Sequence, residues 1–351
     1  MDLELNGKRA LVTGGSRGIG FATACRLAQE GAEVAIVARR AGVLDVAVSE
    51  MSGRTPGAFP LFPVKADVST AKGAQDAVSR AIDRLGGLDI LVNNAGRSAG
   101  GSALEQSDRD WQRDLDLKLY GALRMTRLAV AELRKSGSGR VVNVTAIAGK
   151  HPGSGSAPSS VSRAAGIALT KVLSKELAPD GILVNTVCIG LIQSEQIERG
   201  AQVRFPDSEL SDALTKMGSG VPLGRIGRAE EAGDVIAFLC SQRASYVTGV
   251  AINIDGGASA NVKSPAKSGD VPVALAADCL NQPVGAGDTS QLSAQVTDVR
   301  PNEGAGAGRV MVLPDVHEQF LGMKNLPLVL HQVGKQRRFD IGQMLLADDA
   351  V

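Results

Sequence analysis

Cysteine is rare in this sequence, with four in 351 residues, and the spacing of the four excludes two kinds of site. Cys25, Cys188, Cys240 and Cys279 lie far apart, and no two of them form a C-x-x-C pair. Zinc sites and disulfide frameworks both need cysteines at characteristic spacings. We therefore predict no metal site and no disulfide bonds, and we interpret the four as buried thiols in a reducing cytosol.

An excess of charge and long apolar runs are also missing. The 38 lysines and arginines balance the 37 acidic residues to a net charge of +1, so neither nucleic acid nor an acidic membrane is expected as a partner. No run approaches the roughly 18 apolar residues of a membrane span. Residues 1–5 show neither the basic nor the apolar region of a signal peptide. These absences predict a cytoplasmic protein.

Short apolar runs alternate with helix-length amphipathic segments up to about residue 260. Near-continuous apolar runs are typical of parallel strands that are covered on both faces. The predicted strands are 10–12, 34–38, 62–64, 90–92, 141–144, 183–187 and 251–254, and the predicted helical segments include 21–29, 74–85, 111–134, 161–177 and 229–239. Repeated strand–helix units predict an α/β fold with a Rossmann-type, doubly wound parallel sheet, which binds ligands at the carboxyl ends of its strands.

The composition changes after residue 261. Residues 262–351 are rich in glycine, proline, serine and aspartate and show no sustained hydrophobic period. Only 310–313 and 326–330 could form short strands, and each is flanked by proline. We predict a Rossmann domain over 1–261 and a loosely ordered extension over 262–351, to which the sequence assigns no function.

A glycine-rich stretch follows the first predicted strand and opens the first predicted helix. It reads TGGSRGIG over residues 13–20. Glycines at this spacing allow a tight turn and a close approach of the backbone to a pyrophosphate, which the amino terminus of the helix then attracts. A plain turn is the alternative for the glycines alone. The strand before them and the helix after them favour nucleotide binding.

Further motifs occur in a fixed order after the glycine-rich stretch. They are DV at 67–68, NNAG at 93–96, PLGR at 222–225, VTG at 247–249 and DGG at 255–257. With the glycine-rich stretch, they make residues 5 to about 260 resemble the short-chain dehydrogenase/reductase family, and in particular its branch of 3-oxoacyl-carrier-protein reductases. The resemblance implies a single Rossmann domain, an NAD(P) cofactor, a small-molecule substrate and a homo-oligomer, either a dimer or a tetramer.

The resemblance also assigns cofactor contacts residue by residue. It places Gly14, Ser16, Arg17, Gly18 and Ile19 around the pyrophosphate and ribose, and Gly20 closes the same stretch. It places Asp67 and Val68 at the adenine, and Asn94, Ala95 and Gly96 along the ribose. Ile192 is placed at the nicotinamide amide.

The end of the second predicted strand bears on the choice between NAD(H) and NADP(H). It has no acidic residue that could accept hydrogen bonds from a ribose 2′-hydroxyl. Arg17 and Arg39 could instead hold a 2′-phosphate, which suits the planar guanidinium group. A solvated basic turn is the alternative. We predict a preference for NADP(H).

The resemblance fails at the catalytic positions of the family, which are Asn, Ser, Tyr and Lys. Alignment of 146–149 with the family's Ser-x-x-Gly puts Ala146 at the Ser position. The Tyr and Lys positions then fall on Ser159 and Arg163, and the Asn position falls on Lys118. All four positions are therefore predicted to be substituted.

The substitutions change which groups could move a proton. An aliphatic hydroxyl such as that of Ser159 is a far weaker acid than a phenol, whose pKa is about 10. Arg163 has an ordinary pKa above about 12 and can orient the ribose, but it cannot donate a proton at neutral pH. Burial and the charge of Arg163 should lower the pKa of Lys118, which makes Lys118 the best candidate for an acid or base. Lys118 could also point to solvent, and His151 is a second candidate donor.

Three hypotheses follow. The first is an NADP(H)-dependent oxidoreductase that acts on a carbonyl or alcohol through Lys118, Ser159 and Arg163. The second is a non-redox enzyme on the same scaffold, such as an isomerase or lyase. The third is a catalytically inactive protein whose binding to a partner depends on the nucleotide. The sequence does not identify the substrate.

Overall fold

The computed structural model describes residues 1–259, apart from 56 and 58, and the backbone of 328–332 and 335–339. Seven parallel strands form one sheet in the order β3-β2-β1-β4-β6-β8-β9. These strands are β1 (Arg9–Thr13), β2 (Glu33–Ala38), β3 (Leu61–Lys65), β4 (Ile90–Asn93), β6 (Arg140–Ala146), β8 (Leu183–Ile189) and β9 (Ala251–Ile254). All seven predicted strands and the Rossmann-type fold are confirmed.

The strand order reverses between β1 and β4, because the chain builds one half of the sheet outward from β1 before it returns to start the other half. Such a switch point leaves a crevice beyond the carboxyl ends of the two strands, where α/β sheets bind ligands. The glycine-rich stretch follows β1 and the NNAG motif follows β4, so both motifs border this crevice.

Helices cover both faces of the sheet. They are α1 (Gly18–Gln29), α2 (Ala41–Arg54), α3 (Ala71–Leu85), α4 (Asp108–Leu115), α5 (Gly121–Ser136), α6 (Ser159–Leu177), α7 (Glu195–Arg204), α8 (Leu210–Gly218) and α9 (Ala229–Cys240). One hydrophobic core joins the sheet to α1, α2 and α9, and a second core joins it to α3, α5 and α6. Each fully buried leucine or valine in these cores contributes roughly 1.5–3 kcal/mol.

The segment 111–134, predicted as one helix, is interrupted. A π-helical segment, Asp116–Tyr120, separates α4 from α5. Ser107 starts α4 by accepting a hydrogen bond from the backbone N–H of Asp110, and Asp108 and Asp110 lie in the first turn, where acidic residues interact favourably with the helix dipole. A π turn holds one more residue than an α turn and is frequent at functional sites. This one carries Lys118.

A chain of polar side chains lies inside the second core, directly below the crevice. Asn93 of β4 donates to the Oδ1 of Asn143 of β6 at 2.9 Å and to the hydroxyl of Thr126 of α5 at 3.2 Å. Asn143 in turn donates to the hydroxyl of Thr170 of α6 at 2.9 Å. This polar chain fixes α5 and α6 to the two central strands that end at the site.

Two further pairs of strands lie outside the main sheet. The two-residue strands β5 (Gly100–Gly101) and β7 (Ala157–Pro158) pair antiparallel just before α6. Strands β10 (Leu328–Gln332) and β11 (Lys335–Phe339) form an antiparallel pair, which overlaps the strand predicted at 326–330. The strand predicted at 310–313 and most of the predicted extension lie outside the described residues. The division into domains at 261 stays a prediction.

No helix in the described part of the chain has both the length and the apolar character to cross a bilayer.

Candidate active site

The glycine-rich loop is held against the end of β4 by close packing. Gly14 has a φ of +63°, in the left-handed region, and a Cβ there would come within 3.0 Å of the Cα of Ala95. At Gly20 a Cβ would clash with the backbone oxygen of Gly14 at 2.3 Å. Both positions therefore require glycine. The Nδ2 of Asn94 donates to the carbonyl oxygens of Thr13 and Gly14 at 3.0 and 3.1 Å and so anchors the loop.

The amino terminus of α1 faces the same loop with its donors uncapped. Arg17 is the N-cap residue in an extended conformation, and its side chain does not accept a hydrogen bond from the first turn. The first N–H groups of a helix lack intrahelical acceptors and attract anions. Ile19 and Gly20, in this first turn, are buried. The arrangement fits the pyrophosphate of a dinucleotide.

A cavity of about 600 Å³ extends along the carboxyl ends of β1, β2, β3 and β4. Among its lining residues are Gly14, Arg39, Asp67, Val68, Ala95 and Gly96. All six were expected to contact the cofactor. Asp67 is held in place by hydrogen bonds from the backbone and the hydroxyl of Ser69 at 3.1 and 2.7 Å. The volume lies in the range of small-molecule and cofactor sites.

A second cavity, of about 120 Å³, opens between the glycine-rich loop and the start of α2. Three arginines and one serine contribute polar groups to its lining: Ser16, Arg17, Arg39 and Arg40. Arg39 and Arg40 are exposed and follow directly after β2. Guanidinium groups recognise phosphate by paired N–H donors. The cavity has the charge and the size for one phosphate group.

Five expected cofactor residues do not line either of these cavities: Gly18, Ile19 and Gly20 at the start of α1, Asn94 and Ile192. Asn94 turns its amide to the glycine-rich loop, as described above. Ile192 is buried, its N–H donates to the oxygen of Gly190 at 3.1 Å, and it forms a parallel bridge with Gly227. Asn94 and Ile192 each hold nearby backbone in place: Asn94 holds the glycine-rich loop, and Ile192 holds the segment at Gly227. Their direct contact with a cofactor stays a prediction.

Lys118 points inward from the π segment and meets the first residue of α6. Its ammonium group donates to the Oγ of Ser159 at 2.6 Å and to the Oδ1 of Asp114 at 2.5 Å. The other carboxylate oxygen of Asp114 accepts from the hydroxyl of Ser162 at 2.5 Å. The side chains of Lys118 and Asp114 are 2% and 1% exposed. The structure thus brings Lys118 to Ser159, and the alternative of a solvent-facing lysine is wrong.

The environment of Lys118 lowers the pKa of its ammonium group from 10.5 to about 8. Burial is the largest cause, because it disfavours the charged form, and the positive charges of Arg163 and Arg97 act in the same direction. The hydrogen bond from Lys118 to Asp114 opposes them and raises the pKa. The direction agrees with the expectation from the sequence. A group with a pKa near 8 can exchange protons near neutral pH.

Arg163 lies one turn along α6 from Ser159. Its Nη1 donates to the carbonyl oxygen of Val144 at 2.7 Å, and a Cβ at Gly96 would come within 3.0 Å of its Nη2. Burial lowers the pKa of its guanidinium, which nevertheless stays charged at neutral pH. Its Nε is buried and has no hydrogen-bond partner among the described residues.

Ala146, which was aligned with a catalytic position of the family, and His151, the second candidate donor, offer less. Ala146 ends β6 and contributes no polar side-chain atom. His151 is exposed in the loop that follows. The hydroxyl of Ser159 is therefore the proton-bearing group that α6 presents beside Lys118.

Helix α7 connects the two loops that border the crevice. Glu195, its first residue, forms an ion pair with Arg17 of the glycine-rich loop. The side-chain oxygen of Gln196 accepts from the backbone N–H of Ser98, two residues beyond the NNAG motif, at 2.6 Å. Both contacts are exposed to solvent. The start of α7 thus links the glycine-rich loop to the loop after β4.

Sequence reasoning missed four residues of this site: Arg40, Asp114, Ser162 and Glu195. Two of them carry a local signal. Asp114 lies four residues before Lys118, a spacing that brings side chains together on one helix face. Arg40 directly follows the basic residue that was identified. Ser162 and Glu195 meet partners 48 and 178 residues away, and no local pattern indicates such contacts.

Comparison with known proteins identifies the family. Residues 14–259 match the family model described as enoyl-(acyl carrier protein) reductase. The chain belongs to the short-chain dehydrogenase/reductase family, and it is an NAD(P)-dependent oxidoreductase.

The relatives in this family are reductases and dehydrogenases of several kinds. The 3-oxoacyl-(acyl-carrier-protein) reductase of Thermotoga maritima is 35% identical over 255 residues, which cover 73% of this chain and 99% of that protein. The human dehydrogenase/reductase SDR family member 4 is 35% identical over 254 residues, with 72% and 88% covered. L-Sorbose reductase from Gluconobacter frateurii, solved with NADPH and L-sorbose, matches with a TM-score of 0.71 and 32% identity, with 75% and 100% covered.

Proposed function

We propose that the protein is an NADP(H)-dependent oxidoreductase that interconverts a carbonyl and an alcohol on a small organic substrate, with Ser159 and Lys118 as its proton relay. The observation that carries the proposal is the 2.6 Å hydrogen bond from Lys118 to Ser159 beside the nucleotide crevice. The non-redox enzyme and the inactive binding protein are not favoured. The reductases among the relatives favour the redox enzyme.

The chain fits a dinucleotide at three points. The uncapped start of α1 and the glycine-rich loop suit the pyrophosphate. The cavity bordered by Arg17, Arg39 and Arg40 suits a 2′-phosphate. The Nη2 of Arg163, which lies beside Gly96 of the cavity lining, suits a ribose hydroxyl. When bound, the nicotinamide supplies or accepts the hydride.

The relay follows from the direction of the hydrogen bonds. Because Lys118 donates to the Oγ of Ser159, the hydroxyl hydrogen of Ser159 is free to donate to another acceptor. During carbonyl reduction Ser159 donates this proton to the developing alkoxide, and Lys118 returns a proton to Ser159. A serine hydroxyl alone is too weak an acid, and the adjacent ammonium stabilises the charge that forms on its oxygen. In alcohol oxidation the same protons move in reverse.

Direct binding tests the cofactor preference. We expect Arg39→Gln and Arg40→Gln each to weaken NADPH binding by about tenfold, because each removes a charged hydrogen bond worth about 1.5–3 kcal/mol. NADH lacks the 2′-phosphate, so its affinity should change little. The measurement is titration calorimetry with both nucleotides. Arg127→Gln on the exposed face of α5 is the matched control and should leave both affinities unchanged.

Turnover tests the relay. Oxidation of NADPH is followed at saturating nucleotide with a panel of aldehydes, ketones and oxoesters. We expect Ser159→Ala and Lys118→Met each to lower kcat by 10²- to 10⁴-fold, which is roughly the contribution of general acid–base catalysis, while NADPH affinity stays near that of the wild type. Full activity in either variant, or no turnover of any carbonyl by the wild type, would refute the relay.

A further inference from the structure

Three charged groups face Lys118 from three different elements. Asp114 comes from α4, Arg163 from α6, and Arg97 from the loop after β4. The two arginines repel the ammonium, and burial deprives it of water. Asp114 is the carboxylate that opposes these effects, so the charge of Lys118 depends on it.

The position of Asp114 is tightly determined. It precedes Lys118 by one helical turn, and its side chain is 1% exposed. Each of its carboxylate oxygens has a hydrogen-bond donor: Lys118 reaches Oδ1, and Ser162 reaches Oδ2. Ser162 also lies 3.0 Å from the carbonyl oxygen of Ser159, so the carboxylate is tied to the same turn of α6 that carries the hydroxyl.

We propose that Asp114 is a positioning residue of the relay, which keeps Lys118 protonated and aimed at Ser159, and that Ser162 fixes Asp114 in turn. This inference rests on the proposed function of Lys118 and Ser159. Asp114 acts through Lys118 and does not touch the substrate. Without a carboxylate at this point, the buried lysine would lose its proton. With the carboxylate, the lysine is charged at neutral pH.

The lowered pKa of Lys118, about 8, is consistent with this role. Below pH 8 most of the lysine is charged and can return a proton to Ser159. Without the carboxylate, burial and the two arginines would act unopposed and lower the pKa of Lys118 further. An opposite charge within hydrogen-bond distance is worth about one to three pH units.

The variant Asp114→Asn tests the inference, because it keeps the shape and one acceptor oxygen for Lys118, lets its NH2 group donate to the Oγ of Ser162, and removes the charge. In the reductive direction the wild-type rate should fall above about pH 8. In Asp114→Asn this fall should begin about one to three pH units lower, so the variant loses activity at pH 8 and keeps much of it at pH 6. Ser162→Ala should shift the profile in the same direction by less.

Asp110→Asn is the matched control. Asp110 lies one turn earlier on α4, its side chain is 46% exposed, and it pairs only with Arg113 and Ser107. This variant should keep the wild-type profile. An unchanged profile in Asp114→Asn, or an equal shift in Asp110→Asn, would overturn the inference.

A measurement that needs no turnover separates this inference from the proposed function. The pKa of Lys118 is about 8 in the folded protein and near 10.5 when unfolded, so between these values the unfolded state binds more protons and stability rises with pH. In Asp114→Asn the rise should begin at a lower pH. Urea unfolding at intervals of pH measures it. If the wild type reduces no carbonyl, the proposed function fails. The pH range over which stability rises would still show whether Asp114 controls the pKa of Lys118.

Discussion

At the scale of single residues, burial of the ion pair between Lys118 and Asp114 costs free energy, and each charge depends on the other for compensation. Both side chains are almost fully buried, so each charge has lost its hydration and is compensated by the other. Removal of one partner leaves an uncompensated charge in the interior. Removal of both leaves a neutral site. Removal of both partners should therefore cost much less stability than removal of one.

We expect Lys118→Met to lower the free energy of unfolding by about 3–5 kcal/mol at pH 7, because Asp114 is left without its counter-charge. The double variant Lys118→Met, Asp114→Asn should recover most of this loss. Urea unfolding of the wild type, both single variants and the double variant completes the cycle. Additive losses would show that the two side chains do not interact.

The control for this cycle is Lys135→Met. Lys135 forms an ion pair with Glu132 at 2.6 Å, but its side chain is 72% exposed. Exposed pairs contribute about 0–1 kcal/mol. If Lys135→Met lowered the free energy of unfolding as much as Lys118→Met does, burial of the ion pair would not be the cause of the loss in Lys118→Met.

The sequence predicts part of this residue-scale picture. The motif alignment identified Lys118, Ser159 and Arg163, and the structure brings Lys118 and Ser159 into contact, with Arg163 one turn further along α6. Asp114 was not identified, although its spacing from Lys118 was visible. A charge four residues away on an exposed helix has little effect, and only the burial of this turn makes the carboxylate decisive.

At the scale of elements, the amphipathic period of the sequence predicted where the helices lie, but it did not predict the π-helical segment between α4 and α5. Segment 161–177 was predicted and α6 spans Ser159–Leu177, while 229–239 corresponds to Ala229–Cys240. The π segment was not predicted, because one extra residue in a turn leaves the hydrophobic pattern on either side almost unchanged. It is nevertheless the element that directs Lys118 inward.

Helix α7 provides a prediction at this scale. Its Glu195 competes with a 2′-phosphate for Arg17, because a guanidinium paired with a carboxylate is less available to a second anion. We expect Glu195→Gln to tighten NADPH binding by up to about fivefold, since an exposed ion pair contributes about 1 kcal/mol or less. NADH binding should not change.

Titration calorimetry at two salt concentrations measures the effect, which should shrink in high salt. Glu198→Gln is the matched control on the same helix, because Glu198 accepts from Gln193 and does not contact Arg17. Weaker NADPH binding in Glu195→Gln would show that Glu195 supports the site.

At the scale of the whole molecule, two apolar cores hold the sheet between its helices, and one polar chain crosses the second core. The apolar runs allowed the strands and their parallel direction to be predicted from the sequence. Asn143 was predicted as part of a strand. Its buried hydrogen bonds with Asn93 and Thr170 were not predicted, since these partners lie 50 and 27 residues away. The predicted oligomer and cytoplasmic location stay predictions.

We expect Asn143→Leu to destabilise the protein by about 1–3 kcal/mol, because it leaves buried polar partners on β4 and α6 unpaired. Urea unfolding measures the loss. Gln75→Ala is the control: its side chain bonds to Ser79 on an exposed helix face, and its removal should have little effect. A neutral Asn143→Leu would mean that the polar chain does not stabilise the fold.

The position of Ser159 at the start of α6 has a consequence for the shape of the substrate. Its hydroxyl is a single carbon removed from the main chain, whereas a tyrosine at this point would extend a phenol across the crevice. In the proposed relay, a reacting carbonyl would therefore have to approach the helix itself. The proposal thus predicts substrates with narrow groups next to the carbonyl.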